Sequence, residues 1–449
     1  MVERREPSDT RALRGSRTDS LRALLIAPLF RGGGGERCPR ELLERLPGLG
    51  VEPTMFVGVR RPEDPPAVHG VRLPGEKYLR ALDWLGRRLD WRHLGSRLVL
   101  DRVRIGEYDV IHAHNLHGGW MSLGAVRRLA ARIPLVWTLH DEWALTGGLS
   151  YDVSRFVARE DIDRRFGRRV ALHPVHPAAV SMRAFLQPLM PAPTVLVCPS
   201  RYLAELARSH PAFRSVPVER IPYGVALLER EEIRMPRAEA RRSFGIREDE
   251  RVVLLAAANL DSPYKGATLA VEALRQLDAP GVRLLIVSRN AHLVADRVPL
   301  PVLSPGFLAD DAAMARAYRA ADVTLVPSVA DNYPYVALES LACETPVVAF
   351  RVGGLTEIVG GNERGMLAAP FDTAELARNL RRLLEDEALV ARLGRAGHDW
   401  VSRTCSMGEF LAATRRVYEQ AIAIWRVRPN RAYDAGPTDS AAAHVRSSH

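Results

Sequence analysis

Lysine is nearly absent. Lys77 and Lys265 are the only two in a chain with 63 basic residues, the rest being arginine. Base composition of the genome is the simplest explanation for the arginine bias, but the rarity of lysine marks out the two that remain. Cysteine is scarce too. Cys38, Cys198, Cys343 and Cys405 lie far apart, which implies no disulfide framework, offers no metal-type spacing and suits a reducing compartment. No apolar run approaches the roughly 20 residues that span a bilayer. The N-terminal residues are charged and lack the apolar core of a leader. A soluble cytoplasmic protein, or one peripheral at the inner face of the cell membrane, is therefore expected. Walker A, zinc-finger and RNA-binding motifs are missing, so nucleic acid is not an expected partner.

The 449 residues, 47% of them hydrophobic, suffice for two or three domains. A net charge of +10 favours anionic partners such as nucleotides or phospholipid headgroups. Residues 1–20 read as a polar, Arg-rich arm. Leu21–Phe30 is the first expected strand. Gly32, Gly33, Gly34 and Gly35 separate it from a helix over Glu36–Leu46, and such glycines let backbone approach a ligand closely. A dinucleotide fingerprint is the competing reading. Its G-x-G-x-x-G spacing fits poorly, and no acid clearly ends the next expected strand, Thr54–Val59. Glu76–Leu100 is an expected helix carrying Trp84, Trp91 and several arginines. It either lies on a membrane surface or packs its tryptophans inward. Expected strands Tyr108–Ala113 and Pro134–Leu139 run into His112-Ala113-His114-Asn115 and His140-Asp141. A histidine at such a strand end faces a cleft and suits sugar hydroxyls or phosphate. His112, His114 and His140 together also leave a metal as the alternative. Thr146–Pro191 gives no clear pattern.

The densest signal is Val323–Val359. Val323–Val326 is an apolar run closed by Pro327-Ser328 and reads as a buried parallel strand. A polar loop follows, then Pro334 where a first helical turn accepts it, and a helix over Tyr335–Cys343. Pro346–Phe350 is the next strand. Gly353-Gly354 turns the chain, and Thr356 is the expected cap of another short helix. Strand, loop and helix place free helical N–H groups at the edge where a parallel sheet binds anions. Asp331 stands just before that turn and Glu339 eight positions later. Glu339 is either the exposed stripe of an apolar helix or a buried acid that needs a partner. Earlier, Asn259-Leu260-Asp261-Ser262-Pro263-Tyr264-Lys265-Gly266 links an expected strand, Arg251–Ala257, to a helix starting near Thr268.

Asp331-x7-Glu339, followed by Pro346-Val347-Val348 and Gly353-Gly354, resembles the acid–seven–acid signature of the retaining glycosyltransferases of family four. Asp331 stands where the first Glu is usual, and Glu344 stands where the helix-ending Gly is usual. The strand ends at His112–Asn115 and His140-Asp141 are similar to the colanic-acid-type, polysaccharide-biosynthesis subgroup. The Cys-rich insert common in that subgroup is missing here. The loop ending at Lys265 resembles the family loop, with Asn259 where Arg is common.

The resemblance implies a GT-B fold: two Rossmann-like α/β domains facing each other across a cleft, with a C-terminal helix crossing back to the first. The expected domains are 21–225 on the acceptor side and 226–406 for the nucleotide-sugar. The crossing helix is expected over 407–426 and a polar tail over 427–449. The resemblance further implies sugar transfer from a nucleotide diphosphate donor to a glycan or lipid-linked acceptor, with retention and with neither metal nor cofactor. In that reading Lys265 and the N–H groups of Asn332, Tyr333 and Tyr335 stabilise the departing diphosphate. Asp331 and His140 contact the donor sugar, and Glu339 contacts the ribose. Gly306-Phe307 meets the base, Asn259 belongs to the donor loop, and Gly33 and Gly34 approach from the opposite domain. The departures at Asp331 and Asn259 motivate one alternative, a catalytically weakened GT-B binding or assembly protein; a nucleotide-sugar epimerase on the same fold is another. Glu344 carries a penalty of about 1 kcal/mol if its backbone is left-handed.

Overall fold

Short runs of Val, Leu and Ile without alternation fold as strands covered on both faces. The computed structural model describes residues 20–71, 94–101, 103–117, 120–186, 190–277 and 279–427. The arm over 1–19, most of the helix expected over Glu76–Leu100 and the tail from 428 lie outside those residues.

Seven parallel strands form the first sheet: β1 (Leu21–Ala27), β2 (Val51–Val57), β3 (Val68–Gly70), β4 (Val110–Ala113), β5 (Leu135–Thr138), β6 (Val195–Cys198) and β7 (Val218–Arg220). Their order is β3-β2-β1-β4-β5-β6-β7. The second sheet contains β8 (Arg251–Ala256), β9 (Val282–Val287), β10 (Val302–Leu303), β11 (Val323–Val326), β12 (Val347–Phe350) and β13 (Gly365–Ala368), in the order β10-β9-β8-β11-β12-β13. Both reverse direction beside their first strand, which opens a crevice at the carboxyl ends of the strands. This is the GT-B architecture, with the two crevices facing each other.

The helices that bear on the site are α1 (Gly34–Arg45), α2 (Ala267–Arg275), α3 (Asp311–Ala320), α4 (Tyr335–Ala342) and α5 (Met407–Val427), of which α1, α3 and α4 line the cleft. Helix α5 crosses back onto the first sheet. Tyr418 meets His112 Nδ1 of β4 at 2.7 Å, and Gln420 donates to Glu219 of β7 at 2.9 Å. Among the described residues no helix is long and apolar enough to cross a membrane. The segment Thr146–Pro191, unreadable from its pattern, contains helices at Arg159–Phe166 and Pro177–Leu186. The cap of Leu355–Val359 is Gly354 rather than Thr356, which falls one residue inside the helix.

Glu344 is left-handed, with φ of 56°. Its carboxylate accepts from Arg319 Nη1 at 3.1 Å, on a side chain that is 44% exposed. An exposed pair contributes little, whereas the backbone strain at a non-glycine residue is of the order of 1 kcal/mol. Glu344→Gly is therefore expected to raise stability by about 1 kcal/mol in denaturant unfolding. A loss instead would mean that the Arg319 pair outweighs the strain.

Candidate active site

The cleft between the sheets holds two adjoining cavities. Gly33, Gly34, Tyr335 and Val336 line both. The smaller, about 380 Å³, contains Lys265, Asp331, His140, Asn259 and Tyr333. The larger, about 620 Å³, contains Glu339, Phe307, Arg289 and Arg37. Gly306 and Asn332 line neither.

Lys265 ends a single 3-10 turn, Pro263–Lys265, that leads into α2. Gly266 follows at φ +65°, and a Cβ there would lie closer to the Pro327 carbonyl oxygen than the 3.0 Å that such atoms respect. The missing side chain thus lets the lysine turn rest on the end of β11. Val329 N–H donates to Tyr264 C=O at 2.9 Å and ties the two loops together. As a result Lys265 Nζ donates to Asp331 Oδ2 at 2.7 Å, and Ser328 Oγ donates to the same oxygen at 3.1 Å. Asp331 is buried while Lys265 is 38% exposed. The lysine can therefore pair with an arriving anion while its carboxylate stays fixed.

Helix α4 begins after Pro334, so the N–H of Tyr335 belongs to a first turn without helical acceptors. The Asn332 N–H has a partner, the Tyr151 hydroxyl. The Asn332 side chain accepts from Ser200 Oγ and donates to the His140 carbonyl at 3.1 Å. Asn332 thus ties the two lobes together. The loop that carries it is clasped from below by Gly353 and Gly354, where a Cβ would run into the carbonyls of Asp331 and Asn332.

His140 reaches the smaller cavity as a ring whose nitrogens are both bonded within the protein. Nε2 meets His114 Nδ1 at 2.9 Å, and Nδ1 meets the Tyr223 hydroxyl at 2.5 Å. Burial lowers His140 to about 4 and His112 to about 3. Both rings are therefore neutral near pH 7. The Cys38 sulfur lies within 4.8 Å of His114 and His140 nitrogens. The two imidazoles are hydrogen-bonded to each other, burial pushes the Cys38 thiol up, and the buried His114 Nε2 has no partner. Beside them His117 Nε2 lies 2.9 Å from Asp141 Oδ2, off the hydrogen-bond direction. Burial opposes charging of His117, but the Asp141 carboxylate outweighs it and raises His117 above the usual histidine value.

Glu339 is buried and has partners. Tyr318 donates to Oε2 at 3.0 Å, and Arg37 of α1 pairs with Oε1. Burial raises Glu339, and Arg37 counters that rise. Phe307 lies beneath the Arg289 guanidinium, whose carbon is 3.8 Å from the ring centre. Arg37 and Arg289 supply positive charge in the larger cavity, whereas Asn259 in the smaller one supplies none. The sequence reading missed Arg37, Tyr318 and Asp311. Arg37 and Glu339 are 302 positions apart, and no local pattern links them.

A family model described as Glycosyltransferase Family 4 matches residues 32–227. A second, described as Glycosyl transferases group 1, matches residues 251–386. The chain is 35% identical over 318 residues to D-inositol 3-phosphate glycosyltransferase of Acidothermus cellulolyticus, covering 65% of this chain and 62% of that protein. It is 43% identical over 97 residues to 2-deoxystreptamine glucosyltransferase of Streptomyces kanamyceticus, covering 22% and 25%. The chain thus spans less than two thirds of the length of these curated relatives. Sucrose-phosphate synthase of Thermosynechococcus elongatus shares the fold, with a TM-score of 0.67, 23% identity and coverage of 90% and 99%. Anabaena HepE in complex with UDP-glucose shares it too, with a TM-score of 0.60, 19% identity and coverage of 89% and 100%. At those identities the likeness establishes the fold alone.

Proposed function

We propose, for a chain homologous to the glycosyltransferases of family four, that the cleft transfers a sugar from a nucleotide diphosphate-sugar to a hydroxyl acceptor. The observation that carries this reading is Lys265 on Asp331, 2.7 Å apart at the carboxyl edge of the second sheet, beside the first turn of α4. Departure of a diphosphate from an anomeric carbon builds negative charge, and catalysis then consists of stabilising that charge with preorganised donors. Lys265 and Tyr335, whose N–H belongs to the first turn of α4, both line the smaller cavity. Asp331, one lone pair of which is free of Lys265 once the diphosphate arrives, accepts from the sugar hydroxyls. Phe307 and Arg289 flank the base, and Glu339 receives the ribose. Gly33 and Gly34 close over the donor from the first lobe, so lobe closure forms part of the catalytic cycle. In this reading the configuration is retained, no metal takes part, and the donor phosphate accepts the acceptor proton.

A glycan or lipid-linked acceptor, met in the cytoplasm or at the inner face of the membrane, fits the polysaccharide-type strand ends. A small cyclitol is a second reading, favoured by the names of the two curated relatives above, whose acceptors are an inositol phosphate and 2-deoxystreptamine. The test is a panel of UDP-, GDP- and ADP-sugars, scored by thermal stabilisation and then by donor hydrolysis and transfer to inositol phosphate, 2-deoxystreptamine and lipid-linked sugars. At least one donor should stabilise the protein and be turned over. Binding without turnover would favour the weakened binding protein, and no binding would remove the donor assignment altogether.

A further inference from the structure

The carboxylate assigned to the ribose is already held from across the cleft. Arg37 projects from α1 of the first lobe. Its Nη1 pairs with Glu339 Oε1, and its Nη2 donates to Asp311 Oδ1 at 3.1 Å. The guanidinium carbon lies 5.3 Å from the centre of the Tyr335 ring. The Glu339 side chain is 5% exposed under this cover, and Arg37 itself is 13% exposed. Arg37, Asp311, Tyr335 and Glu339 all line the larger cavity. The nucleoside end of the cleft is therefore crossed by a buried, charge-assisted contact between lobes.

We propose that Arg37 is a positioning residue that clamps the lobes through Glu339 and Asp311, and that the ribose of an incoming nucleoside diphosphate takes Glu339 from it. The inference rests on the donor reading above. A ribose diol needs an accessible carboxylate edge. At 5% exposure Glu339 offers a diol little edge: Tyr318 donates to one oxygen, and Arg37 pairs with the other and covers the side that faces the first lobe. Donor binding then has to break the Arg37 contact, and the affinity is reduced by the fraction of molecules in which the clamp is shut. The pair is well suited to such a role. Buried ion pairs add little net stability but fix one geometry, and removing one partner strands the other. Asp311 gives the guanidinium a second anchor in α3, so Arg37 can let go of Glu339 without becoming an unpaired buried charge.

The test is calorimetric titration of wild type and Arg37→Gln with UDP, GDP and ADP, and then with the 2′,3′-dideoxy form of whichever binds. Arg37→Gln should bind the parent nucleotide about tenfold more tightly, as expected if the clamp is shut in about nine molecules of ten. The dideoxy form should gain nothing. Small-angle scattering of the nucleotide-free protein should give Arg37→Gln a larger radius of gyration than wild type. Asp311→Asn loosens the clamp from its other end, should move both readings in the same direction by a smaller factor, and substitutes if Arg37→Gln does not fold. Weaker nucleotide binding by Arg37→Gln would overturn the proposal, since Arg37 would then be gripping the donor. An equal gain for the dideoxy form would overturn it as well. If no protein bound any nucleotide, the donor reading would fall, and the clamp would be judged by scattering alone: an unchanged radius rejects it.

Discussion

Lys265→Ala is expected to lower turnover by about 10²–10³-fold, the usual loss when one preorganised donor to a developing anion is removed. The melting temperature should move by only a few degrees. Lys265 is 38% exposed, so solvent screens its end of the 2.7 Å pair, and the buried Asp331 keeps the Ser328 hydroxyl when the lysine is removed. A diphosphate in the cleft changes that balance, because closure removes water and strengthens the same charge where the leaving group forms. Steady-state kinetics should show kcat falling more than donor affinity, since the interaction grows as the bond breaks. Lys265→Arg should recover part of the loss only, because a planar fork does not reproduce a point charge on a short turn held by Gly266. Turnover within threefold of wild type would remove Lys265 from the chemistry.

Gly354→Ala is expected to be the most damaging small substitution near the site, with turnover down by about 10²-fold and stability lower by about 3 kcal/mol or more. A Cβ at position 354 would collide with the Asn332 carbonyl oxygen, and Ser200 Cβ, 3.2 Å away, closes the other side. The Asn332 carbonyl belongs to the loop that carries Asp331 and interlocks with His140 and Ser200, so it cannot yield without moving the candidate sugar site. Gly48→Ala is the control. Nothing lies within 4 Å of its added atom, so it should stay within about 0.5 kcal/mol of wild type. Chemical unfolding and kcat on the pair of variants give the comparison. Wild-type activity in Gly354→Ala would mean that the loop is more pliable than its contacts imply.

The strands near the cleft were legible because their signal is local. Val323–Val326 and Pro346–Phe350 are short, mostly apolar runs, and the observed strands Val323–Val326 and Val347–Phe350 match them. The start of α4 after Pro334 was likewise readable, since the proline and the helical composition behind it span only a few residues. Thr146–Pro191 was not. Its helices are short, and their order depends on contacts such as Glu142 with Arg155 and Tyr202, at 3.1 and 2.6 Å, which no pattern within the segment announces. Thr356 was misread as a cap because Gly354, held by the Asp331 carbonyl at 3.1 Å, starts the helix through its backbone.

Composition, periodicity and motif spacing determined by themselves an α/β chain with two acids near one helix start and a rare lysine in a separate loop, because each of those features is written within a few turns of chain. Only the tertiary structure decided which way the side chains are committed. It set Lys265 against an acid 66 positions away, turned Asn332 into a strut between lobes, bonded both nitrogens of His140 and covered Glu339 with Arg37. The reason is physical: burial and pairing energies depend on which groups meet in space, and residues hundreds of positions apart leave no trace of that meeting in a local pattern.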